Sequence, residues 1–150
     1  MKWHWLVVGL AAGALLLGCE GGRQPVEIEE EPIPATAQTA LQAVDTAVAD
    51  FEKALDGTDI EATRQAAKTV TRKLGSLASF LSDMDLKAAE DARKAGTQPP
   101  PAVTAKLRPA ITAADEAFGA LVPPTDDVAK AKELLPQIKS GVDAVRDLVK

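Results

Sequence analysis

The sequence predicts an all-α protein: an antiparallel helical bundle of about four helices behind a disordered tether. Three observations carry this. Four segments after residue 36 repeat apolar side chains at alternating spacings of three and four, the period of one helix face. Short breaks containing Gly or Pro separate them, which suits antiparallel neighbours. No stretch of these segments alternates apolar and polar residues as a half-buried strand would.

The first segment places Ala37, Leu41, Val44, Val48, Phe51 and Leu55 on one stripe, flanked by Ala40, Ala47 and Ala54. Thr39 and Gln42 offer a capping box near its start, and Gly57 offers a stop. In the second segment Thr58 and Glu61 offer another capping box. Ile60, Thr63, Ala67, Val70, Leu74, Leu77, Leu81 and Met84 follow, and only Thr63 is polar. The stripe fades at Ser82-Asp83-Met84-Asp85. Two readings stay open beyond it: Ser82 caps a new short helix, or the second helix continues past the bundle to Ala95. Gly96 and Pro99-Pro100-Pro101 end that stretch.

The third segment carries Val103, Leu107, Ala110, Ile111, Ala114, Phe118 and Leu121, and stops at Pro123-Pro124. The fourth opens with Thr125 as N-cap and Asp126-Asp127 in the first turn, where acidic groups suit the helix dipole. Val128, Ala131, Leu135, Ile138, Val142, Val145 and Val149 form its stripe. Pro109 and Pro136 lie inside these patterns. Each removes a backbone hydrogen bond and is expected to kink its helix or delay its start. Ala supplies 28 of the 150 residues, and the alanines beside the stripes allow close helix approach. Phe51, Phe80 and Phe118 fall on three different helices, placed to meet in the core.

Composition excludes several kinds of chemistry. Trp3, His4 and Trp5 lie in the first five residues, Cys19 is the single cysteine, and Tyr and Asn are absent. Without residues 1–18 the chain holds no His and no Trp. A His/Cys metal site, a Ser-His or Cys-His nucleophilic pair, a c-type haem attachment and a disulfide are therefore excluded. The net charge of -5 falls mostly on residues 19–36, where Glu20, Glu27, Glu29, Glu30 and Glu31 face only Arg23. No basic surplus exists to displace phosphate counterions, so nucleic acid is not an expected partner.

Lys2 opens a short basic region, and an apolar run follows from Trp5 to Leu17. A spanning helix needs ~20 apolar residues, so the run fits a secretory signal better than a permanent span. Leu16-Leu17-Gly18-Cys19 resembles the lipobox of bacterial lipoproteins: an aliphatic residue, a tolerant position, a small residue, then Cys. The resemblance covers residues 1–19 only. It implies that the Cys19 thiol receives a diacylglycerol, with fatty acids such as palmitate, that the chain is cut before Cys19, and that the new amino terminus is, as often in that class, acylated too. Two or more chains, at ~0.8 kcal/mol per buried methylene, hold a protein stably at a membrane. Glu20 leaves inner and outer membrane both open.

Residues 1–18 thus read as a signal peptide, 19–36 as the lipidated Cys and a disordered tether, and 37–150 as the bundle. Gly21, Gly22, Pro25, Pro32 and Pro34 break regular structure in the tether, and Glu27, Glu29, Glu30 and Glu31 repel one another. At the polyproline limit of ~3.1 Å per residue it holds the domain up to roughly 50 Å from the lipid.

Few side chains in the helical part suggest a site. Asp83, Asp85, Glu90 and Asp91 form its densest carboxylate cluster, but the spacing lacks the Gly and bidentate Glu of a Ca²⁺ loop. A cap plus a solvated face is the expected role, and neither metal nor cofactor is expected. The overall shape is similar to cytochrome c′ and b-type bundle cytochromes, yet this chain lacks their ligands, and no enzyme constellation is visible. Leu86, Val122, Leu134 and Leu148 lie off the main stripes and are the candidates for an interaction face. Lys150 ends the chain, which is similar in this to Braun-type lipoproteins, helical and Ala-rich, joined to peptidoglycan through a terminal Lys. The expected role is non-catalytic: binding an envelope protein from a lipid anchor facing the periplasm or cell exterior. Carriage of a small apolar ligand in the bundle core and a cell-wall staple through Lys150 are the alternatives.

Overall fold

The computed structural model describes residues 34–149. Four helices follow in order: α1 (Ala37–Leu55), α2 (Ile60–Ala95), α3 (Thr104–Ala120) and α4 (Val128–Arg146). Each packs on its neighbour in the chain, and α4 closes the ring onto α1. The directions alternate. Asp56–Asp59 is the whole connection between α1 and α2, and α4 pairs Lys132 with Asp56, Lys139 with Glu52 and Arg146 with Asp45, rising on one helix as it falls on the other. This is the expected antiparallel four-helix bundle.

The predicted stripes of α1 and α2 are the buried faces as far as Leu81, while Met84, the last member of the α2 stripe, is exposed. Val44, Phe51, Val70, Leu74, Leu77 and Leu81 are fully inaccessible. Thr63, the one polar member, is buried with its hydroxyl placed 2.9 Å from both the Ala54 and Asp59 carbonyl oxygens. It thereby ties the first turn of α2 to the last turn of α1. Phe51 reaches the centre, while Phe80 and Phe118 are only partly buried against the core.

The other two stripes are buried over most of their predicted members, with a small rotation. In α3 Leu107, Ala110, Ala114 and Leu121 are buried as expected, Ala113 and Ala117 join them, and Ile111 and Phe118 are left at the edge. In α4 the buried set is Ala131, Leu134, Ile138, Gly141, Val142 and Val145, with Leu135 at the edge. Leu134 is therefore a core residue, 3% exposed, and not part of an interaction face. At 100° per residue the buried face of α4 is centred between Leu134 and Ile138. It turns toward α3 because Gly141 lets the two helices approach. A methyl group on Gly141 would lie 2.6 Å from Ala110 Cβ and 2.8 Å from Ala110 N.

Helix starts differ from the sequence expectation by one to three residues. α1 is capped by Thr36, in a reciprocal box with Thr39. α2 is capped by Asp59, which accepts from the Glu61 and Ala62 amides. α4 is capped by Asp127, which accepts from Lys130 N at 2.9 Å. In the last two cases an Asp one or two residues further on caps the helix in place of the expected Thr. Asp126 adopts φ +44°, the left-handed region that Asp tolerates better than most residues. Pro109 and Pro136 sit exposed within α3 and α4, and neither delays its helix.

α2 settles the open question about residues 83–95. It is one unbroken helix of 36 residues, roughly 54 Å at 1.5 Å per residue. Gly96 ends it at φ +67°, a left-handed position, and the Thr97 amide closes on the Ala92 carbonyl at 2.9 Å.

Candidate functional site

The side chains singled out in the sequence do not converge. Cys19 and Lys150 lie outside the described residues. Leu86 is 67% exposed on the far part of α2, Val122 is exposed between α3 and α4, and Leu148 is exposed just after α4. Val122 stands at the end where α1 stops and α2 begins, as Arg64 of the first turns of α2 shows by donating to the Leu121 carbonyl at 2.8 Å. Leu86 and Leu148 stand at the other end.

The acidic cluster resolves into structural roles. Asp85 reaches across from α2 to the start of α3. Its Oδ1 accepts from Val103 N at 2.6 Å, and its Oδ2 accepts from Thr104 N at 3.0 Å and Thr104 Oγ1 at 2.7 Å. Val103, the residue before α3, has no capping side chain of its own. Asp85 supplies the missing acceptor, so one helix caps another. Partial burial pushes the Asp85 pKa up, but the bonds from the Thr104 amide, the Thr104 hydroxyl and the Val103 amide together outweigh it, and the carboxyl lies below its ordinary value. Glu90 pairs with Lys94 at 2.7 Å. Among the described residues no group of three or more His, Cys, Asp or Glu is placed to hold a metal ion.

A surface groove of about 260 Å³ runs between α1 and α4. Val48 and Val142 contribute apolar lining, and Asp45, Glu52, Lys139 and Arg146 its charged lining. These charges pair with one another. Arg146 forks onto both Asp45 oxygens at 2.8 Å, and Lys139 meets Glu52 at 2.7 Å. Hydrogen bonding to Asp45, then to Asp143, raises the Arg146 pKa above its already high value. With Lys132 and Asp56 these pairs form a ladder along the seam.

The return from α2 to α3 is a further exposed feature that helix periodicity does not mark. Residues 86–95 carry α2 about 15 Å past the Asp85 cap, at 1.5 Å per residue. The chain comes back through Gln98-Pro99-Pro100-Pro101-Ala102, every residue exposed and none helical. The prolines read in the sequence only as a helix stop. The signal that they are also a displayed segment is their number: one Pro suffices to end a helix.

Comparison of the chain with protein-family models, with curated proteins and with solved structures finds no match.

Proposed function

We propose that this chain is a lipid-anchored extracytoplasmic protein of the bacterial cell envelope, whose helical bundle binds another envelope protein and performs no catalysis. The observation that carries the reading is Leu16-Leu17-Gly18-Cys19 directly after an apolar run too short to span. The organisation of the remainder supports it. Cys19 is the only thiol, and α1 begins at Ala37, so a lipid on Cys19 and a packed domain would be separated by an acidic, Pro- and Gly-rich spacer. No helix of the described residues is long and apolar enough to cross a membrane. Membrane attachment in this reading therefore rests on the lipid.

Protein binding is favoured over carriage of an apolar ligand by where apolar groups stand. A carrier would hold its ligand at the Ala-lined seam near the interior prolines; there α3 and α4 close to contact at Gly141 and Ala110, and the groove of about 400 Å³ beside Pro109 is a surface one with Arg108, Thr112, Glu116 and Gln137 in its lining. Leu86 and Leu148, in contrast, are exposed large apolar side chains.

Growth with an alkyne fatty acid tests the anchor. The full chain should take up label and sediment with membranes, and Cys19→Ala should do neither. A Cys19→Ala chain that is still labelled and membrane-bound contradicts the reading.

A further inference from the structure

The part of α2 that outruns the bundle forms an arm with the strand that returns beside it. Asp85, Ala88 and Ala92 share one face of the helix at spacings of three and four, and these residues are partly or fully buried while their neighbours Lys87, Ala89, Glu90 and Asp91 are exposed. The returning strand is fixed at both ends of that face. Thr97 N bonds to the Ala92 carbonyl at 2.9 Å, and Val103 N bonds to Asp85 Oδ1 at 2.6 Å.

Between those anchors the backbone has little freedom. Each Pro locks φ near -65°, and a residue preceding Pro is driven to the extended region. Gln98, Pro99 and Pro100 all precede Pro, so residues 98–100 are driven to extended backbone and Pro99-Pro100 to polyproline II. A spacer needs no such arrangement. The direct consequence is a rigid, three-proline ridge with its rings in solvent, held away from the four-helix core.

We propose that Pro99-Pro100-Pro101 is a docking ridge for a protein domain that presents an aromatic-lined groove. Aromatic faces take up proline rings side by side, and the partner does not have to order a segment already fixed in the bound shape. The proposal rests on the protein-binding reading above and gives that reading a surface. The arm also stands at the end of the bundle where α1 begins. In that reading a lipid on Cys19 would hold the start of α1 within the tether's reach of the membrane, roughly 50 Å at ~3.1 Å per residue, with the ridge a further arm's length away. The fitting partner is thus a membrane-associated or membrane-facing protein.

Photo-cross-linking in the source cells tests this with the full chain. A photoreactive residue is placed at Gln98 or Ala102, and, in separate strains, at Leu86 or Leu148. The expected result is one discrete protein adduct from Gln98 or Ala102, joined at a peptide rich in Trp or Tyr. The adduct should fall about tenfold when all three prolines are Ala, as loss of a central contact predicts. Pro100→Ala alone should weaken it in the same direction, and helicity by circular dichroism should stay unchanged in both variants. No adduct at Gln98 or Ala102, an adduct to lipid only, or an adduct retained by the triple variant overturns the ridge. If Leu86 or Leu148 then gives a protein adduct, protein binding itself survives. If no position does, that reading falls too.

Discussion

Gly141 of α4 lies against Ala110 of α3 so closely that a Cβ at Gly141 would overlap both the Ala110 side chain and its backbone nitrogen. This contact sets the spacing of α3 and α4 and the rotation of both helices. Gly in a helix interior ordinarily costs about 0.5–1 kcal/mol relative to Ala. Here the substitution should run the other way. Gly141→Ala forces the helices apart, because a backbone atom cannot yield as a side-chain tip can, and a net loss of about 1–3 kcal/mol is expected in urea unfolding. Ala110→Gly in the same chain should recover part of it. A neutral or stabilised Gly141→Ala chain would show that the seam is looser than described.

Gly75 provides the contrasting case. It is exposed in the middle of α2, and a Cβ there meets nothing within 4 Å. Gly75→Ala should therefore raise stability by about 0.5–1 kcal/mol, read as a higher urea midpoint with an unchanged slope.

Asp85 should make the start of α3 sensitive to acid. Its folded pKa lies below the unfolded value near 3.8, so its contribution is present above that value and fades as pH falls through the lower folded one. Asp85→Ala should cost about 1–2 kcal/mol at neutral pH, the usual range for a lost cap. The variant's deficit relative to the parent should shrink below pH 3.8. Equal deficits at pH 7 and pH 2.5 in paired unfolding curves would remove the cap from the account.

Arg146 and Asp45 bind α4 to α1 through a two-pronged contact at the surface. A double-mutant cycle with Arg146→Gln and Asp45→Asn should return a coupling of about 0.2–1 kcal/mol. That coupling should fall in 1 M salt, where the Debye length is ~3 Å. A coupling that is independent of salt would mean that packing of the Arg stem, not charge, holds the seam.

Much of the architecture was legible because one-dimensional spacing reports helix faces directly. The stripes of α1 and α2 bury as read, down to Leu55 and Leu81. What the sequence could not show depends on a second helix. Leu134 and Leu135 are equally apolar neighbours, and only the approach of α3 decides which one enters the core. Asp85 looks like one more solvated carboxylate until α3 starts beside it. Gly141 could not be told apart in the sequence from Gly75 and Gly119, which also interrupt helical patterns but stand in open space. The caps were misplaced where Thr and Asp adjoin, at Thr58-Asp59 and Thr125-Asp126-Asp127, because either side chain can cap and the backbone path chooses. Leu86, Val122 and Leu148 are exposed, as their position off the stripes suggests. The exposed proline segment was legible only as a helix stop, because its anchoring at both ends depends on Ala92 and Asp85 of α2.

The most direct check of the central claim is intact mass spectrometry of the protein purified in detergent from its native membrane. The account predicts a chain that begins at Cys19 and carries the mass of a diacylglycerol, with or without a further acyl group on its amine. A chain that retains Met1 and an unmodified Cys19 would contradict it.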